Sequence, residues 1–330
     1  MRGGAVTMVD GTSGAERGSV VVIGNFDGVH RGHQAVLAAV RRIAAERGLT
    51  PRLLTFEPHP AVTLGRPAPA RLTALARKRA LAARHCPGID VVVRAFTPEL
   101  ASLAPEAFAR DVLAGALAAR VVMVGLNFRF GRGRSGGIDD LERFGRGLGF
   151  ETVAEPLVAD DHGACSSTRI RGLVAAGDLE AACVLLGRPH MVSGTVVAGE
   201  RRGRTLGFPT ANLDGVVEAL PPLGVYAVLI DRASEGGGEA RALGKGVANL
   251  GVRPTLATPS PTPVFEAHLF DFDDDLYGAR VHAHLVTRLR DERRFASLEA
   301  LRAQIAADSE RARDELESWE PDPNAGGAWA

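Results

Sequence analysis

The chain has 330 residues, enough for two domains at roughly 100–200 residues each, each able to bury its own core. Hydrophobic residues make up 45% and charged residues 24%, which excludes a mostly disordered chain, and no apolar run approaches the ~20 residues that span a bilayer. Lysine plus arginine is 39 and aspartate plus glutamate is 39, so no net charge draws the chain to nucleic acid or to an acidic membrane.

The balance conceals an asymmetry. Residues 1–190 hold 24 basic and 18 acidic side chains, and residues 191–330 hold 15 and 21. The basic half suits anionic ligands. The start, MRGGAVTMVDGTSGAERG, lacks the apolar core of a signal peptide, so a cytoplasmic protein is expected. Cys86, Cys165 and Cys183 show no CxxC spacing, which argues for reduced thiols rather than a disulfide or zinc scaffold.

In chain order, residues 1–18 are small and polar and read as a mobile tail. SVVVIGNF (19–26) is a β-branched run bounded by glycine, as in a buried strand. HQAVLAAVRRIAAERG (33–48) has apolar residues at helical spacing. Strand RLLTF, helix LTALARKRALAA, strand DVVVRAF, helix PEAFARDVLAGALAA, strand RVVMVGLNF, helix IDDLERFGRGLG and strand ETVAEPLV follow. Strands alternating with helices predict an α/β, doubly wound parallel sheet. Two short helices, near 168–176 and 178–187, close the unit. After Arg188-Pro189 the strands MVSGTVVAG, GVYAVLID, KGVANLGV, VFEAHLFDF and ARVHAHLVTRL are not separated by long helices. They predict an antiparallel barrel or sandwich, followed by a helix over roughly 297–319. The expected domains are 19–188 and 189–319, with a flexible end at 320–330.

GNFDGVHRGH joins the first strand to the first helix. Ligands of parallel sheets bind at the carboxyl ends of strands, and a helix N-terminus there suits phosphate. His30 and His33 are three apart and share one face of the first turn. Gly24, Gly28 and Gly32 let a ligand approach the backbone. A zinc pair would need a third ligand, and none lies nearby in sequence; nucleotide phosphate is the better fit. Gly131, Gly133 and Gly136 match GxGxxG, but on the fourth strand rather than the first, so a dinucleotide-binding dehydrogenase ranks low. No GxxxxGK[ST] occurs, which excludes a P-loop kinase.

The second constellation lies in the C-terminal half. Thr210 and Asn212 of GFPTAN are two apart and point the same way on an extended chain, each offering a neutral oxygen. Taken alone, the pair reads as readily as a turn or cap. On VFEAHLFDF, Phe265, Ala267 and Leu269 share one face and Glu266 and His268 the other. Asp271, Asp273, Asp274 and Asp275 lack EF-hand spacing and read as a charged turn.

The ordered set GNFDGVHRGH, FEPHP, VGLNFRFGRGRSGG, SSTRIR, LGRP, GRTLGFPTANL, GVYA, NLGVRPT, EAHLFDFDDDLYG and LRDERRF resembles the bacterial bifunctional riboflavin kinase/FAD synthetases over about residues 19–312. The resemblance implies a Rossmann-like nucleotidyltransferase domain followed by a riboflavin kinase barrel. It implies that the barrel phosphorylates riboflavin to FMN and that the first domain adenylylates FMN to FAD, both with ATP and Mg2+. In that reading His30, His33 and Asn127 act on the ATP phosphates, and Gly24, Phe26 and Gly28, in the loop after the first strand, bind ATP as well. Ser167, Thr168 and Arg171 would clamp the leaving pyrophosphate. Thr210 and Asn212 would hold magnesium, Arg204 would cover the phosphates beside Arg201 and Arg202, and Glu266 would be the general base. Two departures from the family pattern are Cys165, in place of isoleucine, and Leu126, in place of an acidic residue. A non-catalytic flavin-binding protein of the same fold is the alternative.

Overall fold

The structure, a computed structural model, describes residues 18–155, 159–161, 163–198, 208, 210–234, 240–253, 262–322 and 329. Of the expected tail at 1–18, residues 1–17 lie outside the described residues, as do the arginines Arg201, Arg202 and Arg204. Contacts group the chain into two compact units. One comprises the residues up to Phe26, Gly32–Ala68 and Ala82–Ala164; the other comprises Asp27–Arg31, Pro69–Leu81 and the chain from Cys165 onward.

The first half of the chain runs β1 (Ser19–Ile23), α1 (Arg31–Arg47), β2 (Thr50–Glu57), α2 (Pro60–Thr63), α3 (Leu75–His85) and β3 (Asp90–Ala95). It continues through α4 (Pro98–Ser102), α5 (Pro105–Ala107), β4 (Ala119–Gly125), α6 (Ile138–Leu148), β5 (Glu151–Glu155) and the short pair β6 (Ala159–Asp160) and β7 (Gly163–Ala164). Five strands form the parallel sheet predicted from the alternation, in the order β3-β2-β1-β4-β5. Every residue of β1 is buried, which is why SVVVI is apolar almost throughout rather than alternating. Leu37, Val40, Ile43 and Ala44 give α1 its buried stripe at helical spacing. The order reverses at β1, whose neighbours β2 and β4 lead away on opposite sides, and this opens a crevice at the carboxyl ends of β1 and β4.

One expected helix takes a different form. PEAFARDVLAGALAA begins as the short α5, but Phe108–Ala116 is a π-helix, closed by Leu117 N–H donating to Val112 O. The wider turn keeps Phe108, Val112, Leu113 and Leu117 together in the core against β4 and α6, a set that 3.6 residues per turn would spread further round the helix.

The second half runs α7 (Ser167–Ala176), α8 (Leu179–Leu186), β8 (His190–Val197), β9 (Ala211–Asp214), β10 (Gly224–Arg232), β11 (Arg241–Arg253), β12 (Thr262–Leu269), β13 (Arg280–Asp291) and α9 (Leu298–Leu316). Six strands close an antiparallel barrel in the order β10-β11-β12-β9-β8-β13. β9 begins in the GFPTAN segment expected to be extended. Four residues carry little periodicity, yet they pair with both β8 and β12 and complete the ring. Tyr226, Val228, Leu250, Phe265, Ala267 and Leu285 fill the interior. The outer faces of β10, β11 and β13 are covered by α9, whose Ala312 and Leu316 pack with Val225, Leu229 and Val247. Within the expected end segment 320–330, residues 323–328 and 330 lie outside the described residues; Trp329 is buried in this cluster, its indole N–H donates to Ile230 O, and its backbone N–H donates to Asp231.

Candidate functional site

The chain leaves β1 through Gly24, whose N–H donates to Leu54 O. Three of the next five residues hold left-handed backbone: Phe26 at φ 47°, Gly28 at φ 87° and Val29 at φ 39°. A β-branched residue with φ above zero costs about 1–3 kcal/mol and persists only where its surroundings enforce it. Glycine at 28 is required twice: by its dihedral, and because a Cβ would meet Leu72 at 3.1 Å and Leu186 at 3.3 Å. Asp27 is buried, and its carboxylate accepts hydrogen bonds from the backbone N–H groups of Leu72 and Thr73 and from the Arg171 guanidinium, the last at 2.6 Å. Ser167 donates its hydroxyl proton to Asp27 O at 2.8 Å. The loop is thus built to hold one shape.

His30, at the end of this loop, is buried. Burial pushes its imidazole down to about 4, and the Arg188 guanidinium adds to the effect. His30 is therefore neutral at pH 7 and carries one N–H. Its Nδ1 lies 3.5 Å from the Cys165 Sγ, so a thiol occupies the position where the family pattern has isoleucine. His33 stacks on Phe26 with ring centroids 4.4 Å apart, which fixes the plane of its imidazole. Asn127 is exposed in the turn that follows β4, at the same carboxyl edge of the sheet as the loop after β1. Leu126 beside it is also exposed.

Of the element SSTRIR, Ser166 caps α7 by accepting from Arg169 N–H, and Thr168 is exposed. Arg171 is engaged with Asp27 and with Ala70 O. Sequence reasoning missed Asp27, although it lies between two assigned residues of the same motif. It also missed the pair Asn25 and His59, whose Nδ2 and Nε2 are 3.0 Å apart. The histidine of FEPHP was the available signal.

The second site lies on the barrel. Register places Asn249, Glu266 and Asn212 directly opposite one another on β11, β12 and β9, so their side chains share the outer face. Phe265 and Ala267, on either side of Glu266, point into the core as predicted. Asn212 is buried, and its Oδ1 accepts no hydrogen bond. A buried acceptor left this way is costly unless a ligand completes it, and a hard cation does so. Thr210 and Ala211 line a cavity of about 500 Å³ whose other wall is the acidic turn Asp273–Tyr277. Among the described residues no group of three or more His, Cys, Asp or Glu is placed to bind a metal. In LRDERRF, Arg290 pairs with Asp308 of α9 at 2.8 Å, and Arg293 lies over the ring of Phe295 within the same run.

Acid should destabilise this fold. His282 is driven by burial to about 3 and His30 to about 4, and burial also lowers His190. The unfolded chain binds these protons near pH 6.5, so stability is complete above that pH and declines as pH falls toward the folded values. Between pH 7 and pH 5, His30 and His282 each account for a loss of about 2 kcal/mol. Urea midpoints at the two pH values test this. The pH-dependent difference shrinks by about one such share in His282→Gln, and an unchanged difference would contradict it.

The fold defines a class: a five-stranded parallel α/β unit and a closed six-stranded antiparallel barrel in one chain. The FAD synthetase family model matches residues 12–169, and the riboflavin kinase family model matches residues 186–316. The chain is 42% identical over 299 residues to the bifunctional riboflavin kinase/FMN adenylyltransferase of Pseudomonas fluorescens, covering 90% of this chain and 93% of that one. It is 40% identical to the Escherichia coli K12 enzyme of the same name, covering 91% and 93%, and 38% identical to that of Bacillus subtilis 168, covering 89% and 91%. A crystal structure described as a macrolide-efflux protein from Streptococcus pneumoniae superposes with a TM-score of 0.76 at 29% identity, covering 92% of this chain and 95% of that one. In this chain, among the described residues, no helix is long and apolar enough to cross a membrane. The chain belongs to the bifunctional riboflavin kinase/FMN adenylyltransferase family.

Proposed function

We infer that this chain phosphorylates riboflavin to FMN and then adenylylates FMN to FAD, using ATP in both steps. The observation that carries the reading is the presence, in one chain matched by both family models, of a rigid histidine loop at the sheet's switch point and of an Asn–Glu row on the barrel. We assign adenylyl transfer to residues 19–188 and kinase chemistry to residues 189–319. The substrates are small molecules and the setting is the cytoplasm, in keeping with three free cysteines.

In adenylyl transfer the FMN phosphate attacks the α-phosphorus of ATP and pyrophosphate leaves. A phosphate monoester has a second pKa near 6, so the nucleophile is already largely a dianion and needs no strong base. The work is alignment and charge stabilisation. Neutral His30 donates an N–H to a phosphate oxygen without requiring a proton from solvent. His33, held by Phe26, donates from the first turn of α1, and Asn127 adds an amide from the β4 side. Ser167, Thr168 and Arg171 receive the leaving pyrophosphate.

In the kinase step the nucleophile is the terminal ribityl hydroxyl, a poor one. Glu266 accepts its proton as it attacks the γ-phosphorus, and ADP leaves. Thr210 and Asn212 fit a magnesium ion, on the evidence of the unsatisfied Oδ1 of Asn212. When bound, magnesium neutralises phosphate charge. Arg204 is assigned to cover the same phosphates.

The test is chromatography of products from the purified chain, riboflavin and ATP, with magnesium and with the metal chelated. FMN followed by FAD, both lost on chelation, is the expected result. Absence of product from riboflavin and from supplied FMN would replace this reading with a non-catalytic flavin binder.

A further inference from the structure

We propose that Arg188, a residue within the stretch matched by the riboflavin kinase model, is a positioning residue for adenylyl transfer, because its guanidinium holds the loop that presents His30. The proposal rests on the reading of that loop as the adenylyl-transfer site.

Arg188 lies between α8 and β8, outside residues 12–169 of the FAD synthetase match. It is only 9% exposed, and its guanidinium is turned to backbone carbonyls. One nitrogen donates to Gly28 O; the other donates to Val29 O at 3.2 Å and to Leu186 O at 3.1 Å. Gly28 and Val29 are the two consecutive left-handed residues that precede His30. A left-handed turn aims its carbonyls away from the partners that regular structure would supply, and buried carbonyls need donors. The planar fork of arginine meets several at fixed angles, and a single side chain thereby ties the turn to the end of α8. The Leu186 side chain closes on Gly28 from the same direction.

The bond from Val29 to His30 transmits this grip. Loss of the fork releases the turn toward ordinary dihedrals and carries the imidazole with it. A misplacement of about 1 Å in a catalytic group costs on the order of 10²-fold in rate. Burial keeps His30 neutral and the Arg188 guanidinium adds to that effect, so the same side chain bears on both the place and the charge of the donor.

The experiment uses the full chain carrying Arg188→Ala or Arg188→Lys. Supplied FMN with ATP reads adenylylation, and riboflavin with ATP reads the kinase. In Arg188→Ala the adenylylation kcat falls about 10²-fold. The KM for ATP changes little, and the kinase kcat stays within about twofold. Arg188→Lys, which keeps the charge and part of the hydrogen bonding, recovers a measurable share of the loss. Adenylylation within about twofold of the parent in Arg188→Ala would overturn the proposal. So would a parallel loss of both activities, or no gain from lysine over alanine. His33→Ala, measured alongside, separates the two readings: if it keeps full adenylylation the loop is not the adenylyl site, whereas its loss with Arg188→Ala active rejects only the role of Arg188.

Discussion

Glu266→Gln is expected to reduce riboflavin phosphorylation by about 10²–10⁴-fold while supplied FMN is still converted to FAD at the parental rate. Glutamine keeps the shape and the hydrogen-bonding reach of the side chain and removes only its capacity to accept a proton. The substitution leaves the core alone, because Phe265 and Ala267 turn inward and Glu266 stands on the outer face in line with Asn212. Stability should therefore move by no more than about 0.5 kcal/mol. Initial rates of FMN formation and of FAD formation from FMN, taken on one preparation, give the comparison. A folded variant that loses both would show that the two steps share a site.

The reciprocal expectation concerns His33→Ala. Removing one preorganised donor to charge that develops in a transition state costs about 10²–10³-fold. FAD formation should fall by that amount and FMN formation should not change. The ring does not merely fill space: it stacks on Phe26, and Phe26 is itself held in left-handed backbone. His33→Phe would keep a ring for the stack and lose the donor, so it should be as inactive in FAD formation as the alanine variant. Recovery with phenylalanine would mean that stacking, not donation, is the contribution of His33.

The parallel sheet was legible because the apolar, β-branched runs of β1, β3 and β4 alternate with helical segments such as α1, whose apolar residues recur at helical spacing. The inward and outward faces of VFEAHLFDF were legible for the same reason, with a period of two. What escaped depends on contacts distant in sequence. β9 is four residues long and exists because β8 and β12 offer it edges. The π-helix at Phe108–Ala116 answers to the core against which it packs rather than to any local signal. Trp329 follows a stretch of proline, glycine and alanine, and its burial is decided by Asp231 and the carbonyl of Ile230. At the first site the motif named the histidines, but nothing in the spacing indicated that Asp27 would gather Leu72, Thr73 and Arg171, or that Arg188 would reach Gly28 across 160 positions of chain. Both are buried charges, and a buried charge is understood only from its partners.

The brevity of β9 has a consequence for solubility. A closed ring of strands offers no template to a second chain, whereas an open one presents two rows of unpaired N–H and C=O groups. Here four residues stand between those conditions, since withdrawal of Ala211–Asp214 would bare the flanks of both β8 and β12. The same segment carries Asn212. Changes in PTAN that loosen this strand should therefore show themselves first as self-association of the protein, and assays of such variants need to separate aggregation from a true loss of catalysis.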